Sequence, residues 1–166
     1  GTVAPGARIV LYFCKSEDYF LNALKQAMTD KVNRPSVFSI SYGSAEEKFE
    51  RSDAELLNST FADAAQMGIT ICVASGDGGS ASHEFLEFSE PVPHVSFPAS
   101  CPFVLACGGT SLKLADGKIK NETTWNYLRQ CIASSGGGIS TVFPEPHYQS
   151  GLNIAPNATP GVRFKG

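Results

Sequence analysis

An apolar run leads directly into a glycine-rich loop in the sequence Ile69-Thr70-Ile71-Cys72-Val73-Ala74-Ser75-Gly76-Asp77-Gly78-Gly79-Ser80. A short apolar run bounded by turn residues is typical of a buried strand. Because ligands of such sheets bind at the carboxyl ends of the strands, we expect Asp77 to lie at a functional edge. The glycines around it expose backbone N–H groups and admit a ligand closely. The alternative is a turn aspartate that only accepts local hydrogen bonds.

Strand and helix patterns alternate on either side of this stretch. Apolar runs predict further strands at 9–13, 37–41 and 103–107. Helical spacing predicts one helix from Ser16 to about Asp30, and a second from a capping box at Ser52 and Glu55 to a terminal Gly68. This order predicts a parallel sheet with right-handed crossovers.

The second half of the chain has a different pattern. Residues 110–114 and 118–124 read as two strands joined by Asp116-Gly117, which is a hairpin turn signal. A glycine-rich loop follows at 134–140, and the segment 143–166 is rich in Pro, Asn and Gly, which predicts irregular structure.

Length and charge limit the function classes. The chain has 166 residues, 42% of them hydrophobic, which suits one globular domain with a sizeable core. Lys and Arg number 13 against 16 Asp and Glu, a net charge of −3 with no basic run, so nucleic acid is not an expected partner. No apolar run approaches the roughly 20 residues that span a bilayer, so no membrane is expected either. The five cysteines include no Cys-x-x-Cys pair.

Two motifs, one for dinucleotide binding and one for a zinc peptidase, lack the surrounding sequence that they require. Gly76, Gly78 and Ala81 match the spacing of a dinucleotide fingerprint, but that motif must open a helix and here a proline-rich stretch follows. His83-Glu84 begins like a zinc-peptidase helix, but Glu87 stands where the second histidine is needed.

Five segments, in the same order along the chain, resemble the sedolisin family of serine-carboxyl peptidases, which has a subtilisin-like fold. The similarity of each segment alone is weak, but five such segments in the family's order make the resemblance specific. They are Ser39-Ile40-Ser41-Tyr42-Gly43, the stretch 69–80, Phe97-Pro98-Ala99 through Gly108-Gly109-Thr110, Glu122-Thr123-Thr124-Trp125-Asn126, and Ser135-Gly136-Gly137-Gly138-Ile139-Ser140.

The resemblance implies an α/β, three-layer subtilisin-like domain whose mainly parallel sheet is flanked by helices. Residues 1–166 would be a partial peptidase catalytic domain, incomplete at both ends. The family's triad takes Glu and Asp from Glu-x-x-x-Asp, which is absent from this sequence, and Ser from Gly-Thr-Ser-x-x-x-x-Pro. Gly109-Thr110-Ser111 begins that last motif, but Asp116 replaces its proline, so Ser111 is predicted to be a strand residue. The family's calcium ligands lie in a C-terminal part, and no cofactor is expected in this chain.

The resemblance also assigns roles to single residues. Asp77 matches the family's oxyanion-hole aspartate, which donates a hydrogen bond only when protonated, a form that burial favours. Ser41 and Gly43 match positions whose backbone pairs with an extended substrate, and Tyr42 between them would wall a subsite. Ser75 and Gly76 would border the primary specificity pocket. Ser96 stands where some relatives carry an acidic residue, so a preference for a basic side chain is not supported.

The sequence therefore predicts part of an acid-acting serine endopeptidase whose substrate is a peptide or unfolded protein. Because the triad lies outside it, the isolated chain is expected to be inactive, and its exposed sheet edges are expected to self-associate. The resemblance implies secretion or an acidic compartment. Two other readings remain open: a non-catalytic peptide-binding module of subtilisin-like fold, and a nucleotide-binding protein.

Overall fold

The computed structural model describes residues 2–13, 15, 19–81, 93–127 and 133–152. The helices and strands within them are, in chain order, α1 (Tyr19–Thr29), β1 (Val37–Ile40), β2 (Ser44–Ala45), α2 (Arg51–Gln66), β3 (Thr70–Ala74), β4 (Ser96–Phe97), β5 (Leu105–Cys107), β6 (Thr110–Ala115) and β7 (Lys118–Thr124). No helix among these is long and apolar enough to cross a membrane.

A parallel three-stranded sheet forms the centre, as the alternating pattern predicts, and its strand order is β1-β3-β5. Strand β3 pairs with β1 through Ile71 and Phe38, and with β5 through Val73 and Ala106. Both predicted helices are present, and the start of α1 at Ser16 lies outside the described residues. The α/β fold class is therefore confirmed.

The core lies on one face of this sheet. Helix α2 packs on β3 and against α1, and Phe61 of α2 is fully buried among the core residues. Along β3, Ile71 and Val73 are buried while Thr70 and Ala74 are exposed. Residues of α1, α2 and β3 share one hydrophobic cluster, which covers this face of the strand.

The predicted strand at 9–13 is also wrong. These residues lie near β1 and line a cavity with it, but no strand is present there, and Ile9, Leu11 and Phe13 are exposed. The segment is held by a side chain instead, since the Tyr12 hydroxyl donates to Asp30 Oδ2 at 2.8 Å. Strand β1 is consequently the edge of the described sheet.

The sequence prediction for α2 is wrong at the N-terminal end of the helix and confirmed at its C-terminal end. The capping box is wrong: α2 begins at Arg51, Ser52 lies inside the helix, and Glu55 pairs with Arg51 at 2.8 Å. The C-terminal prediction is confirmed. Gly68 adopts a left-handed φ of +78°, and the N–H of Ile69 donates to the carbonyl of Ala64, which is the Schellman arrangement.

The predicted hairpin is confirmed in β6 and β7, with left-handed φ at both Asp116 and Gly117, as a type I′ turn requires. The antiparallel pair β2–β4 is a feature that the sequence does not predict. Two residues per strand are too few to show a period. A 3₁₀ turn at His147–Gln149 follows in the predicted irregular segment, and residues 153–166 lie outside the described residues.

Candidate functional site

The loop after β3 carries Asp77. Two of its glycines have left-handed backbone, Gly76 at φ +101° and Gly79 at φ +64°, so the loop needs residues without a Cβ at both positions. Ser75 anchors its start, because its N–H donates to Cys107 of β5 at 2.9 Å. The side chain of Asp77 is exposed. The expected burial of this carboxyl is therefore wrong for the described structure.

The glycine-rich segment 134–138 backs this loop. The N–H of Ser134 donates to the Asp77 carbonyl at 2.7 Å, and the N–H of Gly79 returns a bond to Ser134 at 2.9 Å. The N–H of Gly136 donates to Gly76 at 3.0 Å. A Cβ on Gly136 would collide with the Ser75 carbonyl oxygen, so this close approach needs glycine. Sequence reasoning singles out this segment as a motif but gives it no role.

The pair β2–β4 brings Ser96 against the same loop, and Gly43 lies against Phe97 of β4. Ser96 lies in β4, and its Oγ occupies the space that a Cβ on Gly76 would need. A Cβ on Gly43 would lie 2.7 Å from the Phe97 carbonyl oxygen, so Gly43 must also be small. Tyr42 is partly exposed and its ring lies 5.3 Å from that of Phe20 in α1.

A cleft of about 680 Å³ opens beside the loop. Of the predicted site residues, Ser75 and Ser96 line it, whereas Ser41, Tyr42, Gly43, Gly76 and Asp77 do not. The Oγ atoms of Ser75 and Ser100 are buried in the cleft wall with no hydrogen-bond partner among the described residues.

Glu46 lies behind the cleft and was missed by sequence reasoning. Its side chain is 1% exposed, and its carboxylate accepts from Ser140 Oγ and Thr141 Oγ1, both at 2.9 Å, from Val142 N–H at 3.3 Å, and from Thr141 N–H. Burial, helped by the negative charge of Glu46, raises the pKa of the Cys101 thiol to about 12. Nothing in the local sequence distinguishes Glu46 from the exposed Glu47 beside it.

Ser140 and Glu46 resemble a nucleophile–base pair, but the geometry excludes that role. The Ser140 Oγ also accepts from Val142 N–H at 3.2 Å and Phe143 N–H at 2.8 Å. Its lone pairs are therefore already engaged, and the carboxylate it faces is saturated with donors. Ser111 lies in β6, paired with Thr123, as predicted.

Metal binding finds no support in the described part of the chain. No three His, Cys, Asp or Glu side chains come together there to hold an ion.

Known proteins with similar sequences cover nearly the whole chain. It is 43% identical over 163 residues to kumamolisin from Bacillus sp. (strain MN-32), which covers 98% of this chain and 29% of kumamolisin. It is 36% identical over 128 residues to tripeptidyl-peptidase 1 from Rattus norvegicus, which covers 74% of this chain and 20% of that protein. The chain thus spans less than a third of the length of either relative. No family model matches the sequence.

The fold has a similar solved structure. A Pseudomonas sedolisin, described as a serine-carboxyl proteinase complexed with two molecules of pseudo-iodotyrostatin, superimposes with a TM-score of 0.68 and 34% identity. The match covers 87% of this chain and 39% of that one.

Proposed function

The chain belongs to the sedolisin family of serine-carboxyl peptidases and corresponds to part of the catalytic domain, and from this we propose that its parent protein hydrolyses peptide bonds at acid pH. In this proposal Asp77 donates a hydrogen bond to the oxyanion of the tetrahedral intermediate. The Ser-Glu-Asp triad would come from parts of the parent that this chain does not include. The 166-residue chain alone is then inactive.

The single observation that carries the proposal is the way the Asp77 loop is held. Three backbone hydrogen bonds join it to the segment 134–136, and they leave the Asp77 side chain exposed. An oxyanion donor must be fixed before the charge develops, and it must be open to the substrate. Because only the protonated carboxyl can donate, this arrangement ties the activity to acid pH.

The surroundings of the loop suit a peptide. Residues Ser41 to Gly43 follow the edge strand β1 directly, where an extended chain can pair with backbone, and the cleft beside the loop is lined by Ser75 and Ser96. The similar Pseudomonas sedolisin is complexed with two molecules of pseudo-iodotyrostatin, which is consistent with a ligand-binding site in this chain. From the membership in this family, we also infer that the parent protein is secreted or lies in an acidic compartment.

Acid proteolysis tests the proposal directly. The parent protein should hydrolyse an acid-unfolded protein substrate at about pH 4, and the isolated chain should not do so at any pH. Cleavage by the isolated chain that is lost in Ser111→Ala or Ser75→Ala would contradict the assignment of the triad. A folded parent that binds peptides but cleaves none would favour the peptide-binding module instead.

A further inference from the structure

Glu46 connects two segments that line the cleft. Its backbone N–H donates at 3.0 Å to Val95, next to β4, and the preceding Ala45 pairs with Ser96 of that strand. Its carboxylate accepts four hydrogen bonds from Ser140, Thr141 and Val142 on the other side. Ser96 lines the cleft, and so do Gly136, Gly137, Ile139 and Ser140 of the second segment.

A buried carboxylate is an effective anchor in this place. Leaving it unpaired in the interior is very costly, whereas hydrogen bonds to a charged acceptor are stronger than neutral ones. Two of its four donors are backbone N–H groups, so the carboxylate fixes the main chain of 140–142 and not only side chains. This main chain continues directly from Ile139, which lines the cleft.

We propose that Glu46 is a positioning residue that sets the width of the cleft, and so decides which side chains of a peptide substrate fit it. This inference rests on the proposed peptidase function, because it assigns the cleft to a substrate side chain next to the scissile bond. Glu46 touches no reacting atom in this account. It acts through the segment 140–142.

The test uses the parent protein and two peptides that differ only in the residue placed in the cleft, a phenylalanine or a glycine. Glu46→Gln keeps the size of the side chain but turns an N–H₂ group toward donors, so at least one hydrogen bond is lost. We expect the ratio of kcat/KM for the phenylalanine peptide over the glycine peptide to fall about tenfold or more. Thr141→Val, which removes one hydroxyl donor and conserves volume, should lower the ratio less.

Glu47→Gln is the matched control. It removes the same charge from the adjacent residue, whose carboxylate pairs with His94 at 2.9 Å on the surface and not with 140–142. The ratio of kcat/KM for the two peptides in Glu47→Gln should match that of the wild type. The double variant Glu46→Gln/Thr141→Val should show less than the product of the single effects, because both changes weaken the same set of hydrogen bonds to 140–142.

A merely structural role gives a different result. A smaller folded fraction lowers kcat/KM equally for both peptides, so an unchanged ratio in Glu46→Gln overturns the proposal. Amide hydrogen exchange of the isolated chain provides an arm that needs no activity: Thr141 and Val142 should exchange faster in Glu46→Gln than in Glu47→Gln. If the wild-type parent cleaves neither peptide, the proposed function fails, and equal exchange rates would show that Glu46 does not hold this wall.

Discussion

The backbone N–H of Ser134 donates to the carbonyl oxygen of Asp77 at 2.7 Å. The bond engages the main chain of Asp77 and leaves its carboxyl on the surface. Together with the bonds from Gly79 to Ser134 and from Gly136 to Gly76, it makes the glycine-rich segment the support of the loop. The position of the Asp77 carboxyl therefore depends on residues far away in the sequence.

Gly136→Ala should destabilise this support. The new Cβ would collide with the Ser75 carbonyl oxygen. The Cβ is fixed to the main chain of residue 136 and the oxygen belongs to the main chain of Ser75, so neither atom can move aside without shifting the loop. Overpacking of this kind costs about 1–3 kcal/mol in the free energy of unfolding. Urea unfolding of the isolated chain measures it. Gly6→Ala, where nothing lies within 4 Å of the new Cβ, should change it little, and equal effects of the two variants would contradict the account.

Local patterns predicted the elements well where several residues contribute to one signal. The parallel sheet, the Gly68 helix end and the Asp116-Gly117 turn all follow from periodicity or turn chemistry. The strand predicted for residues 9–13 is absent because a strand needs a paired neighbour, and the described sheet ends at β1. The capping box failed because Glu55 pairs with Arg51 instead.

The site was predictable only in part. Asp77 and the Ser41–Gly43 segment were predicted because strand ends and family motifs point to them, and their roles stay predictions, while the structure brings Gly76 against Ser96. Glu46 was not found, since its burial arises from the pairing of β2 with β4 and from contacts with 140–142. Tertiary contacts of this kind leave no local signal.

Asp30 should make the stability of the isolated chain depend on pH. Its carboxylate accepts from the backbone N–H groups of Asn33 at 2.9 Å and Val32 at 2.8 Å, and from the Tyr12 hydroxyl. Together these bonds hold the pKa of Asp30 well below its usual range, and the bond from the Asn33 N–H contributes most. Because the folded pKa is lowered, this stabilisation is complete above the unfolded pKa of about 4 and is lost as the pH falls below it.

Asp30→Asn isolates this contribution, because an amide carries no charge at any pH. The difference in unfolding free energy between the wild type and Asp30→Asn should be largest near neutral pH and should shrink between about pH 4 and pH 2. Urea unfolding at a series of pH values measures the difference. A difference that stays constant over this range would show that the charged carboxylate does not hold the Tyr12 segment.

The exposed hairpin should make the isolated chain self-associate. Leu114 of β6 and Ile119 of β7 pair across the strands and are 62% and 63% exposed, and Leu105 on β5 is 59% exposed. Apolar faces and free strand edges of this kind favour association. Light scattering should show a mass that rises with concentration.

Charge placed on that face should reverse the association. Leu114→Lys should return the chain toward a monomer, whereas Val32→Lys, at a position 85% exposed and outside the hairpin, should not. A monomer at every concentration in the wild type, or equal effects of the two lysines, would exclude the hairpin as the associating surface.

Turnover of Asp77 variants in the parent protein tests the central claim most directly. If the Asp77 carboxyl donates to the oxyanion, Asp77→Ala should lower kcat by about 10²–10³ with little change in KM, because the bond forms in the transition state. Asp77→Asn should retain more activity than Asp77→Ala, since an amide donates at any pH. Both variants should keep the melting temperature of the wild type. A lowered melting temperature with an unchanged kcat per folded molecule would contradict the account and leave Asp77 as a residue that only shapes its turn.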